Sequence, residues 1–184
     1  MAKLVSKTYG DALFSLALEE NRIDELLEEI SALREILRQN DELMKLMNHP
    51  EVVKEEKIQL IESIFVGRVS DEVVGLMRMV VDKGHFQEMD SIFSWFIDRA
   101  KEYKHIGTAY VTSAVELRKE QKQAVEKRLL ETTDYVEFEM HYEVEPALLG
   151  GMVIRIGDRV ADSSIRTKLH NLTHELSSSS LQTA

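Results

Sequence analysis

The chain has 184 residues, 33 of them acidic and 23 basic, for a formal charge of −10; 43% are hydrophobic, 30% charged and none is cysteine. That length and apolar fraction suit one domain or two small ones with a buried core and exclude a disordered chain, while the missing cysteine excludes disulfides and thiolate metal sites. The acidic balance argues against general nucleic-acid binding, no apolar run approaches the roughly 18–20 residues of a membrane span, and Met1-Ala2-Lys3-Leu4 leads straight into a helical pattern without a signal or transit segment, so the expectation is a soluble intracellular protein.

Apolar residues recur at helical spacing as far as His105, and the pattern predicts six helices there. The first runs from Lys3 to Glu20. The second carries the single stripe Ile23, Leu26, Leu27, Ile30, Leu33 and Leu37. Leu43, Met44, Leu46 and Met47 make a short third, stopped before His49-Pro50, because the residue ahead of a proline avoids the helical region. Ile58, Ile61, Ile64 and Phe65 define the fourth. Asp71 is expected to cap the fifth, which ends at Gly84, and Met89, Ile92, Phe93, Phe96 and Ala100 stripe the sixth. Short connections imply a compact antiparallel bundle over residues 1–105.

Around Ile106-Gly107 the period changes. Residues 106–184 read as a small α/β domain in the order strand, helix, strand, strand, helix. Thr108 to Ala114 is the first strand and Glu116 to Glu131 a helix. Tyr135 to Val144 alternates, with Val136, Phe138, Met140, Tyr142 and Val144 on one face and Glu137, Glu139, His141 and Glu143 on the other. Met152 to Ile156 is the last predicted strand, turned by Gly157-Asp158. Ser163 or Ser164 opens a final helix through Ile165, Leu169, Leu172 and Leu176, and the Ser177–Ser180 tail is expected to fray. The fold class is mainly α, a six-helix bundle followed by a small α/β unit.

No chemistry emerges from the motifs. His170 and His174 stand four apart, as two zinc ligands on a helix do, but Asn171-Leu172-Thr173 between them lacks the glutamate of a His-Glu-x-x-His site, and they read as surface histidines. Gly150-Gly151 and Gly157 match neither phosphate-binding fingerprint, and no Gly-x-Ser-x-Gly elbow occurs. The carboxylates follow solvent-facing positions such as Glu25, Glu28, Glu29 and Glu35. Neither a metal, a cofactor nor a catalytic residue is expected.

The first and fifth helices say more. Val5, Tyr9, Ala12, Leu13 and Leu16 form one stripe, and Phe14, Ala17 and Leu18 cover much of the remainder; Val73, Val74, Leu76, Met77, Met79, Val80 and Val81 likewise exceed one stripe. A surface helix buries about a third of its circumference, so such helices are either enclosed in the bundle or present a groove to a partner's amphipathic helix.

The second half carries a resemblance. Ala109-Tyr110-Val111-Thr112-Ser113-Ala114 and, more specifically, Val144-Glu145-Pro146-Ala147-Leu148-Leu149-Gly150-Gly151 through Gly157-Asp158 to Asp162-Ser163-Ser164-Ile165-Arg166 resemble the delta subunit family of bacterial F-type ATP synthases, related to the mitochondrial oligomycin-sensitivity-conferring protein. Tyr9-Gly10-Asp11-Ala12-Leu13-Phe14 and His49-Pro50 are similar to the family's amino-terminal half. Glu145 stands for the usual Asp, Ser163 for a Gly, and Gly10 for an Ala at a cost of about 1 kcal/mol in helix propensity.

The resemblance implies a stator subunit that performs no reaction: it couples proton flow to ATP synthesis by tying the catalytic head to the peripheral stalk. Its amino-terminal bundle would receive the amphipathic N-terminal helix of an alpha subunit between its first and fifth helices, with Tyr9, Leu13, Leu16, Met77 and Val80 lining the groove. Its carboxy-terminal part would engage the stalk b subunits, with membrane attachment indirect, at the cytoplasmic face of the bacterial membrane. Gly150, Gly151, Gly157, Asp162, Ser164 and Arg166 would form a conformational motif fixing the last helix against the sheet. A free-standing helical adaptor for some other amphipathic helix is the alternative; it has no reason to carry that motif.

Overall fold

The computed structural model describes residues 2–170, and the chain divides after Tyr103 into two compact units. In the first, α1 (Ala2–Glu19), α2 (Ile23–Gln39), α3 (Asp41–Asn48), α4 (Lys54–Phe65) and α5 (Asp71–Asp82) are followed by a 3-10 turn at Phe86–Glu88 and by α6 (Met89–Tyr103). The stripe of α2 buries at spacings of four and three residues: Leu26, Ile30, Leu33 and Leu37 are all interior. The densest packing lies along α6, which meets both α1 and α2 and contributes the fully buried Phe93 and Phe96.

Helix ends follow backbone chemistry. At the end of α5, Gly84 takes φ +71°, its N–H donates to the Val81 carbonyl, and that of His85 donates to the Val80 carbonyl. These two bonds close the helix on a left-handed residue. Asn21, at φ 55°, does the same for α1, with Arg22 N–H donating to the Ala17 carbonyl. At the start of α5, Ser70 holds the cap position expected of Asp71, which is instead the first helical residue; the Ser70 hydroxyl and N–H both donate to Glu29 at 2.5 Å.

The second unit contains β1 (Ile106–Ser113), α7 (Lys119–Thr132), β2 (Glu137–Val144), β3 (Met152–Ile156) and β4 (Arg159–Asp162), then helix from 165 to the last described residue, 170. The sheet order is β2-β1-β3-β4, with β1 and β2 parallel and the other pairs antiparallel. Its core is small: Ala109, Leu129 and Phe138, flanked by Val125, Leu130, Met140, Ile154 and Ile156.

Three sequence expectations change here. A fourth strand exists where a turn and helix start were read, because Arg159-Val160-Ala161-Asp162 is exposed throughout and carries no burial pattern; its pairing with β3 defines it. Helix α7 begins at Lys119 rather than Glu116. Val136, expected on the buried face, precedes β2 and is 74% exposed. The continuation of the final helix through Leu172 and Leu176, the tail at Ser177–Ser180, and His174 lie outside the described residues.

Candidate partner-binding faces

At 3.6 residues per turn, α1 presents three distinct sides. Leu13 and Ala17 point into the core at 3% and 0% exposure. One flank is locked to α6: Trp95 Nε1 donates to Asp11 at 2.9 Å, Tyr103 meets the Phe14 ring edge-on at 5.8 Å, and the Arg99 guanidinium lies over Phe14. Gly10 belongs to this lock. A methyl group there would sit 2.5 Å from Trp95 Cδ1, so the lost helix propensity makes room for an indole. On the other flank Tyr9 and Leu16 are half-buried and Ala12 is exposed.

Helix α5 is arranged similarly. Met77 and Val80 are fully buried, and Arg78 pairs with Glu62 of α4 at 3.1 Å. Along its outer side lie Met79, 53% exposed, and Gly75, where a methyl group would meet no atom within 4 Å. The amino-terminal turn of α5 is tied to the α1–α2 connection, where Arg22 reaches Glu72 at 2.8 Å as well as Glu25 and Glu20. Its own backbone N–H, then the Arg22 charge, holds the Glu72 carboxyl below its usual range.

Leu13, Met77 and Val80, which the family resemblance implied as groove residues, are core residues, because the strongest apolar positions of a helix go to its own bundle. Only Tyr9 and Leu16 of that set reach the surface. The exposed Ala12 and Met79 stand in the apolar stripes without being assigned to the groove, and Gly75 was not singled out. The available signal was Gly75, a glycine in the middle of a strongly helical run, which costs about 1 kcal/mol against alanine and has no intramolecular reason here.

The glycine-rich motif of the second unit forms a corner. Gly151 takes φ +76°, and a methyl group there would lie 2.5 Å from the Ser163 carbonyl oxygen; at Gly150 it would strike Ile165. The Ile165 N–H donates to the Gly150 carbonyl, and Ser163 bonds Met152 through both backbone and hydroxyl. Asp162 accepts from Ser164 N–H at 2.8 Å and from the Thr167 hydroxyl at 2.7 Å, while the buried Ser164 hydroxyl accepts from Thr167 N–H at 3.2 Å. The Thr167 bond first, then Ser164, holds the Asp162 carboxyl low, with a smaller contribution from the Arg166 charge. Gly157, at φ 54°, turns the β3–β4 hairpin. Glu145, in place of the family's Asp, still accepts from the Ala147 N–H at 3.2 Å. The corner is a backbone lock for the helix that opens at Ile165.

Among the described residues no three His, Asp or Glu side chains gather as a metal site, and His170 is exposed. No described helix is long and apolar enough to cross a membrane.

The family model for the ATP synthase delta (OSCP) subunit matches residues 5–176. The chain belongs to this family. It is 51% identical over 176 residues to the ATP synthase subunit delta of Lachnoclostridium phytofermentans, covering 96% of this chain and 97% of that one. To the subunit of the same name from Desulforamulus reducens it is 34% identical, covering 95% and 96%. The fold is also found in the Toxoplasma gondii mitochondrial ATP synthase hexamer, with TM-score 0.74 at 16% identity over 93% of this chain and 96% of that one. As a delta (OSCP) subunit, the chain is a non-catalytic component of the peripheral stalk of F-type ATP synthase.

Proposed function

We propose that this delta (OSCP) subunit is a two-ended tether whose first unit takes the amphipathic N-terminal helix of an alpha subunit and whose second unit joins the stalk b subunits. The helix lies across Tyr9, Ala12 and Leu16 of α1 and Gly75 and Met79 of α5. What supports this reading above all is Gly75: an exposed helical glycine with open space around it permits close approach of another backbone. Ala12 supplies the matching small residue, and Met79 an adaptable apolar contact. Burial supplies about 25 cal/mol per Å² of adhesion, much of it offset by association entropy, so fit at these few positions sets the affinity. Leu13, Met77 and Val80 support the groove from beneath. Held at both ends, the head cannot turn with the rotor, and proton flow is coupled to ATP synthesis at the cytoplasmic face of the bacterial membrane, to which the chain is attached only through its partners.

The test is titration of a synthetic alpha N-terminal peptide into the full chain. Gly75→Arg and Met79→Glu, both outward-facing, are expected to weaken binding at least about tenfold, as loss of a central apolar contact does, while thermal melting is not lowered and rises in Gly75→Arg through the gain in helix propensity. Undiminished binding by both variants overturns the groove. Leu13→Asp or Met77→Asp does not serve, since a carboxylate buried without a partner unfolds the bundle.

A further inference from the structure

We infer that Met79 is an oxidation site, at which a peroxide converts the thioether to a sulfoxide and thereby loosens the α1–α5 groove; the loosening rests on the groove proposed for the alpha subunit's helix. The chain has eight methionines and no cysteine, so methionine is its only sulfur. Among the described residues Met47, Met77 and Met89 are interior, at 1%, 0% and 0% exposure, and Met44, Met140 and Met152 are half-buried. Met79 alone of these is exposed, at 53%. Two features of α5 leave its sulfur open. A helical side chain leans over the turn on the amino-terminal side of its own Cα, so Met79 lies over the turn of Gly75. Gly75 has no side chain to cover it, and no atom comes within 4 Å of where a methyl group would stand. Arg78, the adjacent long side chain, is drawn away to Glu62 of α4. Met77, on the same helix, faces the core, so the two methionines differ in access and not in chemistry.

In the reaction a sulfur lone pair attacks one oxygen of hydrogen peroxide. The S–O bond forms as the O–O bond breaks, and the second oxygen leaves as water after proton transfer. Sulfur gives up two electrons and the peroxide takes them. The flexible apolar side chain becomes a polar one, with an oxygen that accepts hydrogen bonds and donates none. On the free subunit that oxygen stays in water, so the bundle keeps its stability. Beneath a helix docked closely over Gly75 the same oxygen is buried in an apolar contact without a donor, and binding carries the whole cost. A docked helix also covers the sulfur, so the reaction belongs to the free subunit and acts on assembly. A sulfoxide reductase reverses it with a dithiol, which becomes a disulfide as the oxygen leaves in water.

The test treats the full chain with hydrogen peroxide, removes the peroxide with catalase and maps the oxidised methionines by mass spectrometry of proteolytic peptides. Gain of one oxygen atom is expected at Met79 ahead of every other described methionine, and last at Met47, Met77 and Met89. The synthetic alpha N-terminal peptide is then titrated into untreated and treated chain. Oxidation should weaken binding at least about fivefold, the loss due to a polar oxygen buried without a donor, while thermal melting is unchanged. The two methionine sulfoxide reductases, one for each epimer, should restore binding in the presence of dithiothreitol. Met79→Leu keeps the other seven methionines and, compared with itself before and after peroxide, should lose no affinity. Oxidation of Met79 no sooner than that of Met44, Met140 and Met152, equal binding by treated and untreated chain, or a full peroxide effect in Met79→Leu overturns the inference and leaves the groove standing. A peptide that fails to bind the untreated chain overturns the groove, and its control by oxidation with it.

Discussion

The two units reach stability by different means. The first is built on apolar volume: α1, α2, α4, α5 and α6 all send side chains into one interior, with Phe93, Phe96, Met77 and Ile30 wholly removed from water. Among the described residues the second has only five buried apolar side chains, Ala109, Val111, Leu129, Phe138 and Leu148, and relies on strand pairing, a glycine corner and side-chain caps. The contrast teaches where each tolerates change. A volume-filled bundle absorbs surface substitutions and suffers from cavities; a backbone-locked corner suffers from a single added methyl group.

The comparison is broken most severely from the bundle side. Phe93→Ala removes a fully buried ring and should cost about 3–5 kcal/mol, read as a drop in the melting of the first unit. Trp95 is the sole tryptophan and projects from α6 onto α1, so its fluorescence follows that unit. A loss under about 1 kcal/mol would contradict the packing described. Next is Gly151→Ala in the corner, where the left-handed conformation alone costs about 1–2 kcal/mol and the Ser163 carbonyl must also shift. Hydrogen exchange should rise at Met152 and Ile165 and stay unchanged in α2. Ser164→Ala removes the cap on the last helix, with an expected loss of about 1 kcal/mol confined to the second unit.

The smallest effect is one of pH. Arg34 first, then Arg38, both bond Asp90 at 2.8 Å and hold its carboxyl below the usual range, joining α2 to α6. Because the folded-state value is depressed, this clamp contributes stability above the ordinary aspartate value and loses it as pH falls from about 4 through the lower folded value. Asp90→Asn should therefore lower the melting of the first unit slightly at neutral pH, the effect being small because the carboxylate is partly solvated, and leave it unchanged below the folded value, so that the acid limb is shallower. An identical acid limb in the variant would rule the clamp out as its source.

Much of the architecture was legible in the residue order. The stripes of α2 and α6 and the alternation of β2 are periodic signals that depend on local geometry alone. The family resemblance, carried by Gly150-Gly151 through Arg166, was legible for the same reason: a corner of positive φ and close backbone contact admits few residues. Other features were not. Strand β4 has no buried face to mark it, and Gly10 looked like a simple loss of helix propensity until Trp95, 85 positions away, was seen in the space beside it.

By itself the sequence determined the elements, the change from helical bundle to sheet and the membership of the delta (OSCP) family, because each is written in spacing or in backbone-demanding residues. Only the tertiary structure decided which apolar side chains are spent inward and which stay at the surface. Periodicity reports that a helix has an apolar side, but Leu13, Met77 and Val80 separate from Ala12, Gly75 and Met79 only when neighbouring helices remove one set from water and leave the other exposed.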